Sequence, residues 1–313
     1  MRCSERGFAL MITLWVLVLL SVMAMNFSFF TRYGSAGTRN FKEETAAYYA
    51  ALSAYEEAVG YLLSDEDLAV DFLDSEGRFW TDINRPSISG AKTYGDTEVK
   101  INITDEESRL NINILNEQAL RNLFAFAGIP DDDIAGLADS VSDWKDPDDL
   151  HRLSGAETDY YESLEAAYRA KNGPLNSLEE LLLIKGFKPE YLYGDDKITP
   201  TYPMITTCGA ALNINTAPEK VLEFLGLNKA VIENIMKQRT KEAGGFRMTP
   251  HGDAGTGIPL AVASTNFRIE VTADVPGGTQ VIKITSVVRR VSGAKGLELK
   301  TVYWREVIES RRA

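Results

Sequence analysis

The feature that most limits what this chain can be is an uncharged apolar run near its start. From Phe8 to Met25 it reads FALMITLWVLVLLSVMAM, and NFSFF extends the uncharged stretch to Phe30. A bilayer core needs about 20 apolar residues in a helix, so this segment is long enough to span. Arg2 and Arg6 precede it, and the positive-inside rule keeps that end in the cytoplasm. Everything beyond Arg32 is then exported. A cleaved secretory signal is the poorer reading, because its apolar region runs ~7–15 residues and ends at an A-x-A-like site. Here the nearest small-residue cluster, Gly34-Ser35-Ala36-Gly37, follows the charged Arg32. An uncleaved signal anchor satisfies the same physics.

Past the span the helical pattern continues. Residues 38–63 place Phe41, Tyr48, Leu52, Tyr55, Val59 and Leu62 on one face, with Lys42, Glu43, Glu44, Glu56 and Glu57 elsewhere. That is an amphipathic helix. Joined to the apolar run, a helix from Phe8 to Leu63 would be ~84 Å long at 1.5 Å per residue. Gly34 and Gly37 interrupt the path, and a bend near Gly34 is compatible with it. The junction Arg6-Gly7-Phe8 resembles a type IV prepilin signal. That resemblance implies cleavage by a prepilin peptidase between Gly7 and Phe8 and N-methylation of Phe8. Cleavage would remove a net +1 and leave about −13 on the mature chain.

The chain as a whole has ordinary globular composition, 44% apolar and 25% charged over 313 residues. The net charge of −12 opposes nucleic-acid phosphate, which calls for clustered Lys and Arg. Two cysteines, Cys3 and Cys208, leave no internal disulfide once a leader is removed and exclude a thiolate metal cluster.

Gly-, Pro- and Ser-rich sequence around residues 75–96 reads as loop. EVKINIT (98–104) alternates as a strand, and so do NFRIEVTADV, TQVIKITSVVRRV and LELKTVYWREV near the C-terminus, separated by Pro-Gly-Gly and Gly-Ala-Lys-Gly turns. They predict an antiparallel meander with one face on the long helix. Between them the pattern is helical: NEQALRNLFAFAGI, DDIAGLADSVSDW, DYYESLEAAYRAKN, SLEELLLIKGF, APEKVLEFLG and KAVIENIMKQR. Ser177-Leu-Glu-Glu is a capping box, and Pro218 falls in a first helical turn. LNIN occurs at 110–113 and again at 212–215, each time shortly before a helix, which predicts two copies of a small helical unit. The expected class is α+β: a pilin-like long N-terminal helix packed on an antiparallel sheet, with a large all-α insertion of helix-hairpin-helix or SAM-like type. The expected divisions are a leader (1–7), a transmembrane segment (8–30) and an amphipathic continuation (31–65). An α/β domain follows, built from 66–109 and 265–313, with the inserted helical domain at 110–250.

The stretch from Asp143, DWKDPDDLHRLSGAETDYY, resembles the minor pseudopilin K family of the type II secretion system. Matching positions are Asp143, Trp144, Asp146, Asp148, Arg152, Gly155, Ala156, Glu157, Tyr160 and Tyr161. Tyr168-Arg169, Asn172, Pro174-Leu175, Ser177 to Leu181, Gly186 and Leu212 to Pro218 follow the same pattern. The resemblance implies a non-enzymatic subunit at the tip of a periplasmic pseudopilus that helps export folded proteins through an outer-membrane secretin. It implies a single-pass inner-membrane protein with a periplasmic bulk. Its partners would be the minor pseudopilins I and J, the major pseudopilin, the inner-membrane assembly platform and prepilin peptidase. Ordinary pilins carry Glu at the fifth mature residue; here that position is Ile12. A carboxylate at bilayer depth costs ~2.5–3.5 kcal/mol on insertion scales and requires a partner. A subunit with nothing stacked above it has less need of one, which accords with the tip.

Between Asp131 and Glu165 stand twelve acidic residues against two basic ones, Lys145 and Arg152. Asp143, Asp146, Asp148, Asp149, Glu157 and Asp159 crowd a loop-like segment holding Pro147 and Gly155. Oxygen ligands at this density suit Ca²⁺, although the spacing is not that of an EF-hand, and a solvated acidic face is the plain alternative. The family resemblance favours structural Ca²⁺. Trp144, Tyr160 and Tyr161 read as core. His151 has no nucleophile motif beside it, and paired-carboxylate chemistry lacks a defined separation. The rival reading is a competence-like, helix-hairpin-helix nucleic-acid-binding membrane protein. Its hairpin would be Leu225-Gly226-Leu227-Asn228, with one Gly where such phosphate-binding hairpins carry two.

Overall fold

The computed structural model describes residues 4–240, 242–249, 257–276, 278, 280–293 and 296–310. Arg2 and Cys3, and parts of the two expected C-terminal turns (Gly277, Ala294, Lys295), lie outside the described residues.

Helix α1 runs from Ser4 to Leu63 without a break. It passes Gly34 and Gly37 as regular helix, and the Thr38 hydroxyl donates back to the Gly34 carbonyl at 3.0 Å. Its first part stands clear of the protein, whereas its last five turns lie on a five-stranded sheet. The strands are β1 (Gly90–Tyr94), β2 (Thr97–Asp105), β3 (Asn266–Asp274), β4 (Gln280–Gly293) and β5 (Gly296–Ser310). They lie in the spatial order β5-β4-β3-β2-β1, every pair antiparallel. Alternation decides which face is inside: Val99, Ile101 and Ile103 of β2 and Phe267, Ile269 and Val271 of β3 point at α1.

The helix face that meets them is only partly the one its bulky residues suggest: Tyr48, Tyr55, Val59 and Leu62 do pack in this core. Phe41 is exposed, Leu52 is only half-buried, and the stripe in the core is Ala47, Ala51, Ala54 and Ala58, with Tyr55, Tyr61 and Leu62 beside it. Small side chains let the helix backbone settle close to the pleated sheet, and the larger ones flank the contact.

Everything from Glu106 to Thr265 is inserted between β2 and β3, which are hydrogen-bonded neighbours. This insertion has its own core, centred on Leu120, Leu123, Phe124, Leu137, Tyr161, Leu181, Leu222 and Ile235. Its helices are α2 (Glu117–Ala127), α3 (Asp131–Lys145), α4 (Thr158–Glu162), α5 (Pro189–Tyr193), α6 (Glu219–Phe224) and α7 (Lys229–Gln238). Two expected helices come out differently. DYYESLEAAYRAKN is helical only to Glu162, because Tyr168 folds back to stack on Tyr161 with ring centroids 5.2 Å apart. Residues seven apart in a continuing helix would be ~10.5 Å apart along its axis. SLEELLLIKGF makes a 3₁₀ segment, Leu178–Leu183, at whose start the Glu180 carboxylate accepts from the Ser177 N–H at 3.3 Å.

The two LNIN segments act as matched clamps. Leu110-Asn111 pairs in parallel with Ile205-Thr206, and Leu212-Asn213 with Leu260-Ala261. In each, the first Asn side chain accepts from the N–H of the second, at 3.0 Å for Asn111 and 2.9 Å for Asn213. The second Asn then grips a distant strand of chain: Asn113 binds Leu175 and Thr207, Asn215 binds Phe246 and Val262. After each clamp comes a helical hairpin, α2 to α3 through Gly128 and α6 to α7 through Gly226. Both glycines are left-handed, with φ of 81° and 76°, a conformation other residues adopt only under strain.

Candidate functional site

Gly7, Phe8 and Ile12 lie on the exposed start of α1 with no other element against them; Phe8 and Ile12 are 62% and 47% exposed. The apolar span as a whole is unburied within the chain. It is therefore free to meet lipid or the helices of other subunits.

The acidic segment forms the connection from α3 to α4. Asp143, in the last turn of α3, is fully buried and accepts from the Arg152 N–H at 3.1 Å and from its guanidinium at 2.5 Å. The same guanidinium donates to Asp146 at 2.6 Å. Gly155 closes over this pair: a Cβ there would stand 1.8 Å from Asp143 Oδ2, so only glycine leaves the carboxylate room. Asp148 is exposed and accepts from the Leu150 N–H at 2.9 Å, and Asp149, also exposed, accepts from Asn172 Nδ2 at 2.9 Å. Asp159 is exposed and binds the N–H of Tyr160, outside the cluster.

Glu157 is the anomaly. It is 1% exposed, and neither carboxylate oxygen has a hydrogen-bond partner. Burial, reinforced by the charges of Asp143, Asp146, Asp149 and Asp148, pushes its acid up to about 7. Asp146 Oδ1 and Asn172 Oδ1 are likewise buried and unpartnered. Four acceptor oxygens without donors are a costly arrangement for a protein interior. Side chains alone do not complete a site: among the described residues no group of three or more His, Cys, Asp or Glu side chains is arranged to hold a metal ion. Trp144 and Tyr161 back the cluster as buried core, edge to face at 5.2 Å.

Three participants were not legible as such. Arg152 as an internal counter-ion, Gly155 as the gap it fits, and Asn172, held in the left-handed region at φ 47°, all depend on chain returning from a distance. The non-glycine positive φ could be inferred only from the tolerance of Asn for that conformation.

A second charged cluster joins the insertion to the sheet. Arg290 of β4 pairs with Asp65 at 2.9 Å and lies 3.6 Å from Asp71. Asp105, at the end of β2, accepts from Thr216 at 2.6 Å, Ser264 at 2.5 Å, Asn213 at 3.1 Å and the Glu107 N–H at 2.7 Å. Burial raises Asp71 to about 8 and Asp105 to about 7.

A family profile described as type II secretion system (T2SS), protein K, matches residues 101–194, from within β2 to just past α5. Type II secretion system protein K of Pseudomonas aeruginosa is 25% identical over 308 residues, covering 91% of this chain and 89% of that protein. The protein of the same name from Pectobacterium carotovorum is 25% identical over 235 residues, covering 70% of this chain and 69% of its own. Over most of its length the chain is similar to type II secretion system protein K. Its fold accords: a chain in the crystal structure of the GspK-GspI-GspJ complex from enterotoxigenic Escherichia coli superposes with a TM-score of 0.64 at 20% identity, over 86% of this chain and 99% of that one. The K-family match takes in the whole acidic loop and its Asn172 return. The first hairpin, by contrast, is a poor phosphate cradle. The first turn of α3, the helix after Gly128, carries Asp131, Asp132 and Asp133, which repel an anion from the N–H groups that would hold it.

Proposed function

We propose that this chain is the minor pseudopilin that caps a type II secretion pseudopilus, anchored in the inner membrane with its bulk in the periplasm. The observation that carries this reading is α1: one helix is bare and apolar at its start and buried on a sheet at its end. A pilin-type subunit needs that division, because the bare half packs in the membrane or among neighbouring helices while the sheet rides outside. Peptidase cleavage between Gly7 and Phe8, with methylation of Phe8, completes it. Ile12 removes the carboxylate that would address a subunit above, in keeping with the tip. The solved neighbour is in complex with GspI and GspJ, and the corresponding I- and J-type subunits are the partners proposed here. The major pseudopilin and the assembly platform would then be met through the lower part of α1. The role is structural and needs no catalytic group.

Calcium is the proposed occupant of the acidic loop. Glu157, Asp146 and Asn172 would hold it through the oxygens that lack donors, with Asp149 positioning the Asn172 amide. Bound Ca²⁺ supplies positive charge where burial and neighbouring carboxylates otherwise force a proton onto Glu157.

The assembly reading is tested by coexpressing this chain with its I- and J-type partners and purifying on a tag carried by this chain. A stable ternary complex is expected. Recovery of this chain alone from membranes that contain both partners would overturn the reading.

A further inference from the structure

The face of the sheet turned away from α1 carries a groove of about 1340 Å³, walled on the far side by the insertion at Asn176, Ser177, Thr206 and Thr207. We infer that this groove binds an extended, acidic polypeptide segment of a partner that approaches from outside the helix-packed assembly.

The register builds the floor. Val287 stands opposite Tyr303, and Thr285 opposite Arg305, on β4 and β5; Val287 also stands opposite Arg268, and Asn266 opposite Arg289, across β3 and β4. A bulge after Val287 inserts Val302 into β5, and both Val302 and Tyr303 line the groove. An apolar patch of Val287, Val302 and Tyr303 thus lies between Arg289 and Arg305. Tyr303 and Val302 are 40% and 53% exposed, a large apolar surface to leave uncovered beside a groove.

Charge selects the occupant. Arg268 is matched by Glu106, and Glu270 accepts from Asn102. Arg289 donates only to the neutral Asn266 amide, at 2.9 Å, and neither it nor Arg305 forms an ion pair among the described residues. With Glu106, Glu179 and Glu270 set against Arg268, Arg289 and Arg305 the groove as a whole is balanced, but its two guanidiniums without an ion pair both lie on the β4–β5 strip beside the apolar patch, where they suit carboxylates by bidentate hydrogen bonding. Glu179 at the opposite rim gives the groove polarity across its width, so the carboxylates of a guest belong on the sheet side. The volume exceeds the ~300–1,000 Å³ of small-molecule sites, and the hydroxyl and amide groups of the far wall suit a peptide backbone. Location sets the direction of approach. In the assembly proposed above, packing through α1 would leave this opposite face of the sheet open, and β5 is the sheet edge.

The test uses the full chain in detergent micelles and two fluorescein-labelled heptapeptides, one alternating Glu with Val and Tyr, the other alternating Lys with the same residues. Fluorescence anisotropy should show the acidic peptide binding at least ~10-fold more tightly than the basic one at low salt. R289E/R305E, its fold checked by circular dichroism and thermal melting, should reverse that preference. K220E/K229E, the same charge change on exposed positions of α6 and α7, should leave it intact. Failure of the wild-type chain to bind the acidic peptide, equal binding of both peptides, or an unchanged preference in R289E/R305E would overturn the proposal. Since the micelle-held chain meets no other pseudopilin, failure here leaves the assembly reading untouched.

Discussion

Two clusters in this protein gather carboxylates around a single arginine, and they are satisfied to different degrees. At the junction, Arg290 faces Asp65 and Asp71, and the neighbouring Asp105 receives four donors from the Glu107 N–H and the side chains of Asn213, Thr216 and Ser264. In the loop, Arg152 is shared between Asp143 and Asp146, and the two oxygens of Glu157 have nothing. The junction carries its own cation and a donor shell around Asp105, and so serves as a brace between sheet and insertion, although Asp65 Oδ2, Asp71 Oδ1 and Arg290 Nε and Nη2 make no hydrogen bond among the described residues. The loop leaves both Glu157 oxygens without a donor, and a cation is the occupant proposed for it.

The largest effect should come from breaking the brace. Arg290→Leu leaves Asp65 and Asp71 buried without a cation and should lower stability by ~3–5 kcal/mol, read from chemical denaturation. Arg152→Leu should cost less, because the loop is partly solvated, and saturating Ca²⁺ should recover much of the loss. Equal costs for the two substitutions would remove the distinction drawn between the clusters.

Calcium itself comes next. At a hundredfold excess over its dissociation constant a ligand stabilises by ~2.7 kcal/mol, so Ca²⁺ should raise the melting temperature of the chain and a chelator should reverse the rise. Glu157→Gln should abolish the response. A Ca²⁺-independent melting curve and no heat in calorimetry would dispose of the metal. Gly155→Ala should cost ~1–3 kcal/mol by forcing the loop off Asp143, and it should weaken any Ca²⁺ response at the same time. The smallest effect is the pH dependence. Asp71 and Asp105 have folded acids raised to about 8 and about 7, so the folded state holds protons the unfolded chain has released. Their stability contribution is full below about pH 4 and lost as pH rises through 7 to 8. Asp71→Asn should flatten that decline in thermal melts, whereas Ca²⁺ should suppress only the part due to Glu157.

Legibility in the sequence followed the range of the interaction. The span, the long helix and the alternating strands rest on local periodicity and were readable. So was the repeat, since LNIN places its own Asx turn within four residues. The acidic loop was readable as a density of charge, but not as a structure, because Glu157 and Asn172 meet it only after the chain has turned twice. The junction was invisible: Asp65, Asp71, Asp105 and Arg290 are isolated charges in sequence, brought together by three separate elements. The alanine stripe of α1 was not legible for a different reason. Bulk signals burial against a partner of unknown shape, whereas a close-packed sheet selects for small residues.

The account rests on α1 being a processed pilin helix, and the mass of the mature N-terminus tests that most directly. Purified from membranes of cells carrying the secretion system, the chain should begin at N-methylated Phe8. An intact Met1, or a cut near Gly37, would contradict it.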